Sequence, residues 1–513
     1  MEPTRLSAEP GHRFPFFALV AGLAVAQAAA SLHVWISNRA VARKAEALAA
    51  EGYLVVSGGP AMPNLLSPAA AMGGGLFFTL TAGAFLTLAF LAAGVTWHRL
   101  YGGSRRFLPA VLLFWAGLFV LMNADGFAGP DNLHLLATPP VAFYLAARRA
   151  KNGAPSQGIG ARLAIHLICF GALVAIGAQT TDAAFYSRVR DRLLSHPAGV
   201  AVSDFYYRHT LYPAETFKAP AQMQVRSARL DLSLPESLSR RLAAELAPRD
   251  YLPLSGAGPA DLFISGVISG DVSGDAEGLR LYHRQRFVLE TAPAEFFRDP
   301  ASTLRDFSRA ADRHAGLRQL TFLSLRLVGG ILLYGLFYLP FRRIAGAVVA
   351  SPIRATAAAG VLACAGALLL LTTFSGPPRS ELAPGEVQAA LASPSASIRI
   401  AALREIHRRG IEIAGFDGFA ESAASPVVAE RFWLARTLGR SRSRMSWPVH
   451  LALLDDPQIN VAYNAYASLG SRGDPRGVAE ILRRMPDEPR WYVRFYAYRA
   501  LRRLGWRPSP ASP

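Results

Sequence analysis

Long apolar runs, set apart by polar stretches, organise this chain. A helix needs about 20 consecutive apolar residues to cross the hydrocarbon core of a bilayer. Seven stretches approach that length: residues 14–36, 72–97, 107–122, 133–147, 163–181, 320–339 and 353–374. The fourth is short and is interrupted by Pro139 and Pro140. The pattern predicts a mainly α protein, a polytopic transmembrane bundle of about seven helices. Spans one to five fall within residues 1–182, and spans six and seven within 319–376. Arg5 and Arg13 ahead of the first run, with small residues from Ala24 to Ala30, also fit a cleavable signal peptide. The length of the run favours an uncleaved anchor.

Residues 183–318 have a different texture. A polar helix is expected over 185–194, with Arg188, Arg190 and Arg192, and an amphipathic one over 236–247. Residues 262–268 and 279–290 read as strands flanking a glycine-rich turn, and 301–317 reads as a helix returning to the membrane. Together they predict a small α+β extramembrane insertion. Residues 204–213 are dense in aromatic side chains. They read either as a docking surface or tyrosine belt at the lipid headgroups, or as the core of the small domain folded against the bilayer. The glycine-rich turn lacks the GxxxxGK[ST] pattern of a phosphate loop, and Asp271 and Asp275 lack EF-hand spacing.

From residue 377 onward the pattern repeats. Prolines at 394, 426, 457 and 489 are spaced by 32, 31 and 32 residues. Four residues after each come Ile398, Glu430, Val461 and Val493; eight after, Ala402, Leu434, Ala465 and Ala497; twelve after, Ile406, Leu438, Leu469 and Leu501. Offsets of four lie on one helix face. Gly410, Gly439, Gly470 and Gly505 then read as helix C-caps. A helix in a period of about 31 residues predicts an α-solenoid, whose units bury their apolar faces only by stacking. Residues 385–507 resemble HEAT repeats, in particular the short HEAT-like units known from phycobilisome lyases. The resemblance rests on Asp456 to Gly470 and on Pro489 to Leu501. It implies a scaffold that binds another protein. Glu430 departs from the apolar offset, and the basic run from Arg440 to Arg444 follows it, so the second unit is expected to be distorted or to face a partner. The last repeat is rich in the residue types that interfaces favour. Arg490, Trp491, Tyr492, Arg494, Tyr498 and Arg499 are its candidate partner-binding residues, against the alternative of a polar terminal cap.

Charge supplies the orientation. The chain carries a net +18, and Lys44, Lys151 and Lys218 are its only lysines. Much of the positive charge falls in short loops beside apolar runs, where the positive-inside rule accounts for it without nucleic acid. Arg99, Arg105 and Arg106; Arg148, Arg149, Lys151 and Arg162; and Arg342, Arg343 and Arg354 mark three inner loops. The N-terminus is then cytoplasmic, and the insertion and repeats lie outside, in the periplasm if the membrane is a bacterial inner membrane. Arg39, Arg43 and Lys44, in an outer loop, run against this pattern.

Chemistry is sparse. Cys169 and Cys364 lie singly in apolar runs and read as packing residues. Arg326 inside the sixth run is expected to snorkel or to pair with an acid. No acidic residue is expected deep in a span. His33 and His134 toward the outer side, with His98 and His166 toward the inner side, are candidate axial ligands for two b-type haems. Asp204, His209 and Glu215 are candidates for a site at the junction of bundle and insertion. The sequence carries no GxSxG, HExxH or Walker loop, and no metal site is expected. The leading expectation is a non-enzymatic multi-pass membrane scaffold. It would bind an unidentified protein through residues 385–507, in assembly or organisation of an envelope complex. A haem redox protein and a membrane enzyme or transporter remain alternatives.

Overall fold

A computed structural model describes residues 16–151, 158–180, 183–210, 218–256, 258–268, 276–375, 382 and 385–508. The chain is mainly helical and divides into two units.

The first unit comprises Met1–His33, Gly75–Ala178 and Gly316–Leu370. Across the described residues, six helices are long and apolar enough to cross a membrane: Phe16–Ala50, Pro68–Arg99, Arg105–Met122, Ile159–Gln179, Ala315–Val348 and Pro352–Thr373. The fourth expected span is a helix too, Gly129–Lys151, with both prolines inside it. Asp131 in its first turn and Arg148, Arg149 and Lys151 in its last make it more polar than the other six.

Small residues set the packing here. A Cβ built on Gly22 would meet the Thr87 side chain at 2.5 Å, one on Gly83 the Ala26 methyl at 2.7 Å, and one on Gly75 the Ser31 backbone at 2.8 Å. Helices that close have no room for larger side chains. Thr79–Gly83 forms a π-helical turn at this crossing. Ala355, Ala359, Ala363 and Ala367 are all buried, so the interval-of-four stripe is a packing face. Cys364 Sγ donates to the Cys169 carbonyl at 3.1 Å, and both cysteines are free thiols in packing positions.

The second unit gathers Val34–Gly74, Gln179–Ala315 and Leu371–Pro513. Its sheet has five strands: β1 (Arg226–Leu230), β2 (Tyr251–Pro253), β3 (Leu262–Ile268), β4 (Ala276–His283) and β5 (Arg286–Thr291), in the order β2-β1-β3-β4-β5. β1 runs parallel to β2 and β3, and β3, β4 and β5 are antiparallel neighbours. The single strand expected over 279–290 is a hairpin. Arg284 and Gln285 adopt φ of 47° and 71°, the left-handed pair that a two-residue turn between twisted strands requires. The helix expected over 301–317 is two, Pro300–Ala310 and the start of Ala315–Val348. Asp271 and Asp275 lie outside the described residues.

In the repeats, eleven of the twelve periodic positions are buried; Ile398, at the open end of the first repeat, is 43% exposed. Their core does not stop at the repeats. One cluster of buried side chains joins Val41, Leu48 and Val55 from the first segment, Leu194 and Leu252 from the insertion, and Leu434 and Leu501 from the solenoid. Lys44 serves this assembly: Nζ lies 3.2 Å from Asp261 Oδ2 and donates to the Val225 carbonyl at 3.3 Å. Arg39 stacks on Trp35 at 4.4 Å.

Candidate functional site

Two groups of residues carry the chemistry. One lies in the apolar unit. His33 and His134 sit in direct contact, with His33 Nδ1 3.2 Å from His134 Nε2. The other His33 nitrogen, Nε2, lies 3.4 Å from Asp131 Oδ1. All three are buried. Assigned from this network, His33 keeps its proton on Nε2 toward the carboxylate and accepts at Nδ1 from His134 Nε2–H. His134 Nδ1 is then a buried lone pair without a hydrogen-bond partner. Phe78, at the edge of the π-helical turn, stacks on His33 at 5.9 Å. Beside them Asn123 and Asn132 exchange two amide hydrogen bonds of 2.8 Å.

Sequence reasoning paired His33 with His134, and the structure brings them into direct contact. Imidazoles in hydrogen-bonding contact leave no space for a porphyrin between them. His98 and His166 have separate surroundings. His98 packs on Trp97 at 4.6 Å, and His166 Nδ1 lies 2.9 Å from the Tyr334 hydroxyl. The donor set therefore does not fit two bis-histidine haems. Among the described residues no group of three or more His, Cys, Asp or Glu side chains is disposed to hold a metal ion. Asp131, buried against His33, lies just ahead of the expected fourth span. It stands at the entry of a helix, and no local pattern links it to His33, 98 residues earlier. Arg326 is exposed on its helix surface.

The second group is the Arg and aromatic face of the last repeat helix, Trp491–Arg503. None of its six candidate residues is exposed. Arg494 is buried and donates from Nε to the Val56 carbonyl at 2.9 Å, from Nη2 to Val55 at 2.8 Å and from Nη1 to Met485 at 2.6 Å. Trp491 Nε1 donates to Ser57 Oγ at 2.9 Å, and Lys218 lies over its ring. The Tyr498 hydroxyl donates to Asp250 at 2.9 Å. Burial raises the Asp250 carboxyl above its ordinary pKa, opposed by Arg502 and by this bond. Arg490 makes a two-pronged pair with Glu488, both bonds 2.7 Å, and holds the Asp456 carbonyl. Tyr492 packs at a tilt on Tyr207 of the aromatic stretch, ring centroids 4.9 Å apart, and Arg499 lies over Phe495 and Tyr496. Trp491, Tyr492, Arg494 and Tyr498 meet the first segment or the insertion of the same chain, which no local pattern reveals, while Arg490 and Arg499 contact the repeats themselves.

The aromatic stretch is the other half of this interface. Ser203 Oγ accepts from Asn460 Nδ2 at 2.8 Å, and Tyr207 packs on Tyr463. Asp204 and His209 belong to it; Glu215 lies outside the described residues.

Glu430 is not a distortion. It is buried, and Arg399 grips it with bonds of 2.8 and 2.7 Å while Ser422 and Ser425 donate at 2.9 and 2.7 Å. Burial alone would raise this carboxyl, but the Arg399 and serine hydrogen bonds outweigh it and hold the group below its ordinary pKa. The next repeat joint carries a similar tie, Arg431 on Asp456 at 2.7 and 3.2 Å. Arg399 and Arg431 fall five residues after Pro394 and Pro426, a recurrence that the apolar offsets overlook. What remains outside is basic: Arg440, Arg442 and Arg444 are exposed at the end of the second repeat, next to Met445 at 71%.

The geometry defines a class, an α-solenoid built into a mixed α/β unit and continuous in chain with apolar helices. A family model described as HEAT repeats matches residues 417–502. No curated protein and no solved structure matches the chain.

Proposed function

We propose that this chain is a multi-pass membrane scaffold whose HEAT-like repeats hold another protein at the outer face of a bacterial inner membrane, in assembly or organisation of an envelope complex. HEAT repeats act through broad surfaces rather than through catalytic clefts. The observation that carries the reading is the division of labour on the solenoid. One face is spent on the chain's own insertion, and the edge bearing Arg440, Arg444 and Met445 is left open. An exposed basic edge with an apolar centre suits an acidic protein surface, since rim charges steer association and an apolar contact adds affinity.

The expected topology places Val34–Gly74, the insertion and the repeats outside. That these segments form one unit supports it. Charge reversal at Arg440 and Arg444 to Glu tests the reading, because neither side chain belongs to the solenoid core. The proteins cross-linked to the full-length chain in intact cells should be lost from the double variant while its expression and membrane fraction hold. An unchanged set of cross-linked partners would remove the basic edge from the function.

A further inference from the structure

The Pro197–Phe205 helix exposes an apolar face. Its less exposed side, Gly199, Val200, Ser203 and Asp204, faces protein: Ser203 bonds Asn460 and Val200 packs on the solenoid core, as does Tyr207 just past the end of the helix. Its outward side is apolar. Ala198, Ala201, Val202, Phe205 and Tyr206 follow the spacing of one helix face, and all are exposed, Val202 at 62% and Phe205 at 44%. Water does not select such a face, and a soluble domain would turn it inward.

Two contacts fix the level of this helix. His209, just beyond it, lies against Gly73: a Cβ added there would come within 2.7 Å of His209 Cβ. Gly73 belongs to the opening turns of the apolar helix Pro68–Arg99. On the other side, Arg192 of the preceding helix donates from Nη2 to the Thr373 carbonyl at 3.1 Å. Thr373 is the last residue of the apolar helix Pro352–Thr373. The helix hairpin formed by Ala183–Leu194 and Pro197–Phe205 is thus tied to the ends of two candidate spans, the depth at which lipid headgroups lie. Exposed Tyr186 and Tyr206 supply aromatic rings with one polar end, and exposed Arg208 supplies a cation. This is the composition of a helix lying in an interface, where rings occupy the headgroup layer and cations meet anionic lipid.

We infer that the Pro197–Phe205 helix is an interfacial membrane helix whose Val202, Phe205 and Tyr206 insert into the headgroup and upper acyl layer of the bilayer, clamping the solenoid to the membrane surface. The inference rests on the membrane-anchored reading above, and it goes beyond that reading by assigning a second, peripheral lipid contact. The occupant is lipid rather than protein because the hairpin touches Gly73 and Thr373, near the ends of two apolar helices, and carries the aromatic and cationic residues of a headgroup belt.

Photo-cross-linking in native membranes separates the possibilities. Benzoylphenylalanine replaces, one at a time, Phe205, Val202, Leu332 within the apolar helix Ala315–Val348, and Leu232, which is 99% exposed on the insertion. Phe205 is exposed, so the bulkier benzoyl ring can project outward and the full chain should fold. Irradiation should give phospholipid adducts, read as mass shifts of the tryptic peptides, at positions 205, 202 and 332 and none at 232. Adducts at 332 alone would overturn the interfacial helix and leave the anchored scaffold standing. Protein adducts at 205 would overturn it in favour of a polypeptide partner. Absence of lipid at all four positions would overturn both readings.

Discussion

His450 is buried between repeats, with Nε2 2.9 Å from the Ala465 carbonyl and Nδ1 without a hydrogen-bond partner. Burial, opposed by the Ala465 bond and helped by Arg472, holds the imidazole down to about 4, against an ordinary 6.5. Between these two values the unfolded chain binds a proton that the folded chain refuses. Stability contributed by neutral His450 is therefore present above pH 6.5 and lost as pH falls toward 4, on the order of 3 kcal/mol in total. His407, held at about 4 by burial and by Arg436 and Arg440, acts in the same direction. The melting temperature should fall between pH 7 and pH 5, and His450→Gln should flatten that slope although it lowers stability at pH 7. A variant with the parental slope would show that His450 is not the group that titrates. Arg494 is the second residue-scale case. Its guanidinium serves carbonyls from two distant parts of the chain. Arg494→Ala strands those buried carbonyls and should cost about 3 kcal/mol or more by chemical denaturation, whereas loss of the exposed Arg503 should cost under about 0.5 kcal/mol.

At the scale of elements, the glycines of the repeats separate into two kinds. Gly410 and Gly505 adopt φ of 71° and 87° and are the left-handed caps that the spacing predicts. Gly439 and Gly470 have the same place in the sequence pattern and another purpose. A Cβ on Gly470 would come within 2.8 Å of Ala500 Cα, and one on Gly439 within 2.7 Å of Ser468 Cβ. They let the next repeat approach. Gly470→Val should therefore push two repeats apart and lower stability by more than about 2 kcal/mol. Gly473→Ala, at φ of 72° with open space around it, should cost only the left-handed penalty of about 1 kcal/mol. Equal losses in thermal unfolding would contradict the distinction.

The same contrast shows what a sequence discloses. The alanine stripe from Ala355 to Ala367 and the repeat offsets are local periodicities, and they were legible. β1 and β2 were not, because Arg226–Leu230 mixes arginines with small residues and Tyr251–Pro253 is only three residues long. The reading of 279–290 as one strand missed a turn of Arg284 and Gln285, residues that carry no turn signal. The His33–Asp131 contact and the Arg494 sockets join residues far apart in the chain, and one sequence read alone does not register such pairs.

For the whole molecule, the consequence is that the solenoid is not an appendage. Its core continues into residues Val41 to Leu65 and into the insertion. Removing the repeats should expose Val55, Leu194 and Leu252 and render the insertion protease-sensitive, so truncation would confuse loss of binding with loss of fold. In the scaffold proposed above, these three segments form one unit outside a membrane crossed by the apolar helices. Labelling with a membrane-impermeant maleimide in intact spheroplasts tests it most directly. Single cysteines would be placed at Leu232 on the insertion, Met445 on the repeats and Tyr101 in an expected inner loop, all exposed, with the unsubstituted protein as background. The account predicts labelling at 232 and 445 before lysis and at 101 only after it. Labelling at 101 with protection at 232 and 445 would invert the topology, and labelling on both sides of the pattern would contradict a single outer unit.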